Sequence, residues 1–514
     1  MATEEQANIS RNAIALTLRM VFVTAISLYT SRVVINALGL EDYGLYSVIG
    51  SIIGFASFLN MAMAGGTTRF ITVELGKGNE KSLNAIFSSA LQIHILLAIC
   101  VLALAETVGL WFLNTQMVIP NGRITEANVL YQFSALSMII SFTQSPYTAE
   151  ILAHERMSIY AGIEVLSALL KLAIAIFIST APSDRLIIYA SLGFLLTTST
   201  AIYYRIYCIR NFREARLSRQ IHKREAIAML KFSAMDLYGN LCIVAKNQGL
   251  PVVLNLFFGV IANAAAGIAA VISGTLQGFT SAISLAFVPQ ITKLNAANDI
   301  KQMERMMRNS IVFSFLAFGS LAIPLVLFTP EILQIWLGEA PPFSVIFTRL
   351  LIGAALFSII INCSHTAIRA NGDIRFISFG NGTLYLLTPI VAYILLKCGL
   401  PAESLYATDM AMQALIALCG VIILKHQIRQ VRLRTYLHSI FGSLTALFGA
   451  GAIAEILRQN IHLGSNAGIM QYLLIICLIA LCGAIALTFL SLIFAMDSQQ
   501  RAFIANKVRR VFTN

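Results

Sequence analysis

Five cations in this chain, Arg19, Arg32, Lys171, Lys246 and Arg349, fall inside long apolar stretches. Carboxylates join them at Asp236, Glu150 and Glu164, and further ones at Glu106, Asp409 and Glu455. A charge at the middle of a bilayer costs about 3 kcal/mol or more, so each of these side chains needs a partner or a task. A set richer in cations than in carboxylates suits recognition of an anionic group, because guanidinium and ammonium groups are strong donors to phosphate in low dielectric. Asp236, with Ser233, Tyr238 and Asn240 close by in sequence, is suited to carrying a proton or a sodium ion. It is equally suited to neutralising a cation on a neighbouring helix, and the sequence leaves both open. Glu150 and Glu164 are the other candidates for ion coupling.

Each charge also has a plainer use. Arg19 lies near the cytoplasmic end of the first apolar stretch, and Arg32 and Arg349 near outer ends, where long side chains reach back to water. Lys171 follows Glu164 by seven residues on one helix face, close enough for a relaxed intrahelical pair. Lys246 is the hardest to explain this way. It lies in the middle of its stretch and precedes Asn247-Gln248-Gly249 and Pro251, a polar and breakable run of the kind that lines transporter cavities. Arg19 and Arg32 are thirteen residues apart, about 20 Å and 140° on an ideal helix, so they share one narrow cavity only if that helix bends.

The elements that position these charges must be membrane helices. Of 514 residues, 58% are hydrophobic and only 12% charged, about half the charge of a soluble domain. The mean hydropathy is +0.78. The start, Met1-Ala-Thr-Glu-Glu-Gln, is polar and acidic and lacks the basic opening of a signal peptide. The net charge of +12 reads as loop charge facing anionic lipid rather than as a nucleic-acid surface. None of the eight cysteines forms C-x2-C spacing. The sequence therefore offers neither a disulfide framework nor a metal site, and no cofactor is expected. His94 and His365 lie in apolar stretches, where a solitary histidine is usually a satisfied interior residue.

With about 20 apolar residues per crossing, the chain divides into about fourteen spans. They cover 11–36, 43–65, 82–114, 127–153, 157–180, 185–207, 228–258, 260–292, 308–330, 343–368, 375–397, 404–428, 436–457 and 467–496. Arg123, Arg185, Lys397 and Arg458 are the basic residues of the outer loops, and nearly all others fall on the opposite side, so both termini are expected in the cytoplasm. Residues 208–227, between the sixth and seventh spans, are rich in Arg and form an expected linker, read as an amphipathic helix on anionic headgroups. A repeat supports two halves. Val33-Val-Ile-Asn36 returns as Val252-Val-Leu-Asn255, and Phe70-Ile-Thr-Val-Glu74 returns as Phe287-Val-Pro-Gln-Ile291, both close to 218 residues downstream. An even number of spans per half gives the copies one topology, related by an axis along the membrane normal. The expected division is 1–207 for one six-span lobe, 228–428 for the second, and 429–514 for two further spans and a tail.

Between the first two spans stands Arg32-x5-Leu38-Gly39-x3-Tyr43-Gly44-x-Tyr46. This arrangement resembles the opening of bacterial polysaccharide flippases (O-antigen or repeat-unit, Wzx-type) of the multidrug, oligosaccharidyl-lipid and polysaccharide exporter superfamily. The resemblance implies an all-α polytopic protein of the bacterial inner membrane with two lobes that open alternately. It implies an undecaprenyl-pyrophosphate-linked oligosaccharide as cargo, for lipopolysaccharide, capsule or exopolysaccharide assembly. Polysaccharide polymerase and glycosyltransferases are the implied partners, and the last two spans would offer a groove for the lipid tail. The second copy keeps Gly259 but lacks the Tyr-Gly-x-Tyr part.

The expected binding residues for the headgroup are Lys246, Arg32, Arg19, Lys171 and Arg349. Asn60, Thr67, Thr68, Asn240, Asn247, Gln248, Ser273, Thr275 and Gln277 are offered for the sugar. A cation-coupled multidrug exporter of the same superfamily is the nearest rival, although the first span carries no carboxylate. A membrane glycosyltransferase or polymerase would need sizeable outer loops with catalytic carboxylates. Here the loops are short, and Glu41-Asp42 reads as a turn cap, so no enzymatic activity is expected.

Overall fold

The computed structural model describes residues 2–77, 80–216, 218, 223–373, 375–460, 469–496 and 501, with side chains except at 2–21, 76–77, 80–81, 235–236 and 469. Lipid offers no hydrogen bonds, so a spanning backbone must satisfy its own N–H and C=O groups, and the apolar stretches accordingly form helices. In order these are α1 (Ala2–Gly54), α2 (Ser57–Lys77), α3 (Glu80–Leu104), α4 (Leu110–Thr115), α5 (Ile124–Ala153), α6 (Met157–Ser179), α7 (Arg185–Asn211) and α8 (Lys223–Ala296). There follow α9 (Ile300–Leu327), α10 (Thr329–Leu337), α11 (Ser344–Asn371), α12 (Gly382–Lys397), α13 (Glu403–Gln427), α14 (Leu433–Asn460) and α15 (Ile469–Phe494). π-Helical turns join α3 to α4 (Ala105–Gly109) and open α12 (Ile377–Asn381). The protein is an all-α polytopic membrane protein.

Among the described residues, 11 helical segments are long and apolar enough to cross a membrane. Two of them, in α1 and α8, are each two helices joined at a non-helical glycine. α5, at 30 residues, is also long enough to span. Counted this way the helices match the fourteen expected crossings.

The two joints are Gly39, at φ 81° and ψ 173°, and Gly259, at φ 71° and ψ −167°. A Cβ disfavours positive φ, so glycine lets one helix pass into the next without a loop. The joints stand three and four residues past the repeated V-V-[IL]-N segment, so the sequence repeat is closely matched by a backbone repeat. The copies then diverge. The first is interrupted again by a turn at Phe55–Ala56 before α2, whereas α8 continues unbroken to Ala296. The break expected at Asn247–Pro251 is absent. The chain stays helical there, through Gly249, and breaks at Gly259 instead.

The chain forms two compact units. The first comprises Met1–Gly267 with Tyr385–Cys398, the second Ile268–Leu384 with Gly399–Asn514. The boundary therefore falls within α8, beyond the basic linker. In the first unit α1 packs most extensively on α6, and α5 on α7; in the second, α11 packs on α13 while α9, α14 and α15 pack together. Phe87, Tyr131 and Phe142 are fully buried in the first unit, and Phe315, Phe347 and Tyr436 in the second. Large apolar side chains such as Leu96, Trp111, Phe177, Phe448 and Leu474 are exposed, as expected of a surface solvated by acyl chains.

The Tyr43-Gly44-x-Tyr46 part of the motif is a packing device. A Cβ on Gly44 would lie 1.9 Å from the Val260 carbonyl oxygen, so only glycine allows the two backbones to meet there. Tyr43 is buried, and its ring closes on Gly267, where a Cβ would stand 3.1 Å from Cε1. Gly44→Ala is expected to destabilise the fold by about 1–3 kcal/mol through overpacking. Gly162→Ala, in open space on α6, should be neutral or stabilising by up to about 1 kcal/mol. Thermal unfolding of the purified variants compares the two directly.

Candidate functional site

The first unit contains a cavity of about 680 Å³ walled by α1, α5, α6 and α7. Three of its walls carry hydroxyls at helical spacing: Ser27, Thr30 and Ser31 on α1; Ser134, Ser137 and Ser141 on α5; Thr197 and Thr200 on α7. Residues three and four apart share a helix face, so each stripe presents one polar edge inward. Most of these hydroxyls donate to a carbonyl three or four residues earlier. Thr30 bonds the Ile26 oxygen at 2.7 Å, Ser137 that of Phe133 at 2.8 Å, and Thr197 that of Gly193 at 3.0 Å. With the proton committed to the backbone, the oxygen lone pairs face the cavity as acceptors. Such a surface receives hydroxyl donors well and phosphate poorly.

Charge enters the cavity through Glu164 and Lys171 of α6. Both are described, and no ion pair joins them. Seven residues of helix separate their Cα atoms by about 10 Å, too far for contact unless both side chains reach toward each other. Tyr46, the last residue of the motif, also lines the wall, with its ring 5.2 Å and edge-on from that of Tyr189.

A second cavity of about 510 Å³ adjoins the first, and Ile53 and Met138 line both. Its walls are apolar, built from Phe55, Phe58, Leu59, Leu102, Phe112 and neighbours. A π-turn shapes one side. The Tyr131 hydroxyl donates to the Ala105 carbonyl at 2.8 Å, and Gly109 leaves room for that hydroxyl.

Arg123 holds three of the polar cavity's four helices together. It precedes α5 and donates to Asp42 of α1 at 2.7 Å and to Asp184, the N-cap of α7. Asp184 in turn accepts from the backbone N–H groups of Leu186 at 3.0 Å and Ile187 at 3.1 Å. Glu41-Asp42 was expected to be a turn cap; the structure gives Asp42 this ion pair.

The remaining candidate residues are spread through the fold. Arg32 lines a separate pocket of about 400 Å³ with Tyr29, Asn36 and Arg185. Lys246 is buried, its ammonium 5.9 Å from the centre of the Tyr385 ring, and it lines neither cavity described above. Arg349 donates to the Val326 carbonyl at 3.1 Å in the last turn of α9, a group that also accepts from the Thr329 hydroxyl at 3.0 Å. Glu150 is fully buried near the far end of α5. The side chains of Arg19 and Asp236 lie outside the described residues. None of the polar residues offered for the sugar lines the cavity; Gln248, for example, packs against Gly54. The hydroxyl stripes were the missed signal, legible as Ser and Thr recurring every three or four residues in otherwise apolar helices.

No family model matches the chain. A curated Bacillus subtilis protein, the uncharacterised membrane protein EpsK, is 23% identical over 336 residues, or 64% of this chain. The chain spans 65% of that relative's length. Among solved structures, the lipid II flippase MurJ in an inward closed conformation matches with a TM-score of 0.66 over 94% of this chain and 98% of its own, at 14% identity. An inward-facing multidrug resistance MATE family transporter of the MOP superfamily matches with a TM-score of 0.61, over 82% and 98%, at 14% identity. At such identities the likeness establishes the fold, which is MurJ- and MATE-like.

Partial burial pushes the Asp184 carboxyl up, but the Ile187 N–H and the Arg123 guanidinium outweigh it and hold the group below its ordinary value of 3.8. A depressed carboxyl stabilises fully above its unfolded value and loses that contribution as the pH falls through the lower folded value. Melting temperature measured against pH should therefore show an acid limb below pH 3.8 that is weaker in Asp184→Asn. Arg123→Ala should cost about 1–3 kcal/mol at neutral pH, because it leaves Asp42 buried without its partner.

Proposed function

We propose that the protein flips a polyprenyl-pyrophosphate-linked oligosaccharide from the cytoplasmic to the periplasmic leaflet of the bacterial inner membrane by alternating access, supplying polysaccharide assembly. The observation that carries this reading is the pair of adjoining cavities, one lined with hydroxyls and one apolar, with Ile53 and Met138 in the wall of both. An amphiphile with a sugar head and a hydrocarbon tail matches that division. The acceptor-rich hydroxyl face takes the donors of a glycan. Lys171 is the cation available to an anionic group in the same space, and Arg32 lines the separate pocket with Tyr29 and Arg185. The likeness in fold to a lipid II flippase supports a lipid-linked cargo. An inside-negative potential favours outward movement of an anionic headgroup by about 2.3 kcal/mol per charge per 100 mV.

Glu164 favours a second reading. A carboxylate in the cavity is what a cation-coupled multidrug exporter needs, and MATE transporters share the fold.

Proteoliposomes carrying a fluorescent polyprenyl-pyrophosphate oligosaccharide separate the two. Flipping by the intact protein should fall at least about tenfold in Lys171→Ala, as expected for one lost charge-assisted contact of roughly 1.5–3 kcal/mol. Glu164→Gln should retain most of it, and an inside-negative potential should raise the rate. No flipping by the intact protein, together with proton-dependent export of a cationic dye that Glu164→Gln abolishes, would establish the exporter.

A further inference from the structure

The end of α5 away from Arg123 carries an arrangement that transport does not explain. His154, just past the helix, places Nε2 2.7 Å from Oε1 of Glu214 and 3.4 Å from Oε1 of Glu150. The imidazole is stacked on Phe212, with ring centroids 4.1 Å apart and planes within 10°, which fixes its orientation. Glu150 is fully buried, and neither of its carboxylate oxygens receives a hydrogen bond. Glu214 is also buried.

Charge makes this cluster incomplete. Protonated His154 supplies one positive charge to two buried carboxylates. The second negative charge is then left in a low-dielectric pocket, which is costly. A divalent cation would balance both carboxylates and leave the imidazole neutral as a ligand. The geometry suits such an ion. One donor atom from each of the three residues lies within 4.8 Å of the others. Tetrahedral bonds of 2.0–2.1 Å to a zinc-class ion place neighbouring donors about 3.3 Å apart; the 3.4 Å between His154 and Glu150 already matches, and the 2.7 Å hydrogen bond between His154 and Glu214 opens by about 0.6 Å to admit the ion. An imidazole with two carboxylates favours a borderline divalent ion over calcium or magnesium, which take oxygen ligands. The half-exposed His154 leaves a side open to water for a fourth position.

We propose that Glu150, His154 and Glu214 bind a divalent transition-metal ion of the zinc class, and that the ion fastens the segment between α7 and α8 to the end of α5. The inference stands apart from the identity of the cargo. Glu214 belongs to the stretch Phe212–Arg216, which forms a turn; residues 217 and 219–222 of the expected linker lie outside the described residues. That stretch is already pinned to α3. The Asn84 side chain donates to the carbonyls of Glu214 at 2.8 Å and Arg216 at 2.7 Å, and Ser88 accepts from the Ser218 N–H at 2.8 Å. The ion would add a crosslink from the same stretch to α5, next to the basic residues Arg213 and Arg216.

The test uses the full chain in detergent, purified without a polyhistidine tag, stripped with chelator and titrated with Zn²⁺. Elemental analysis after desalting should find about one zinc per chain, as for a site with three protein ligands. Trypsin cleavage after Arg213 and Arg216 should slow when zinc is present. Glu214→Gln keeps the side chain's shape and should weaken binding by more than the roughly 10–100-fold typical of losing an outer-shell partner. His154→Ala should do the same, and His438→Ala, remote in sequence, should bind as the intact protein does. Absence of stoichiometric zinc, or equal zinc in Glu214→Gln and the intact protein, would overturn the site. Zinc binding with unchanged trypsin cleavage would overturn the crosslink.

Discussion

A backbone carbonyl left open in hydrocarbon has no water to turn to, and much of this structure answers that constraint. At several places where a helix stops, turns or tightens, a specific side chain meets an exposed group. Arg185 donates to the Ala37 carbonyl just before the Gly39 joint at 2.9 Å. The Asn255 side chain both accepts from the Val118 N–H and donates to its carbonyl, before the Gly259 joint. Asn263 reaches back to the Pro251 carbonyl at 2.7 Å. Tyr131 covers the π-turn, and Arg349 and Arg458 both donate into the last turns of α9.

This changes how the intramembrane cations are to be understood. A guanidinium near a helix end looks like a ligand for an anion, yet Arg349 and Arg185 serve carbonyls that carry the negative end of a helix dipole. The same chemistry that would grip a phosphate grips the backbone. Lys246, the strongest candidate by position, is buried with the Tyr385 ring nearby. Lys171 differs because it stands exposed on the wall of a polar cavity, with no carboxylate in contact.

The cavity in turn depends on contacts at both ends of its helices. On one side Arg123 joins the start of α5 to Asp42 of α1 and Asp184 of α7. On the other, His154 joins the end of α5 to Glu214, beyond α7. Between these fastenings the walls carry small hydroxylated residues that leave space open. Pinned ends with a loosely filled middle are what a binding cavity among helices requires.

Composition alone determined that the chain is a bundle of membrane helices, because runs of about 20 apolar residues have no other stable form in lipid. The repeat of V-V-[IL]-N and its following glycine was legible for the same reason. Positive φ is nearly private to glycine, so the residue type at 39 and 259 already encoded the joint. Only the tertiary structure decided which polar residues share a space. Ser134, Thr197 and Lys171 sit on three different helices, and their convergence depends on how each helix is rotated about its axis. Gly44 carries no mark in the sequence of the Val260 carbonyl that excludes any other residue. Glu150 and His154 are four residues apart at the end of α5, but Glu214 lies 60 residues further on, and a fold had to bring the end of α5 beside the strap after α7 before all three became neighbours.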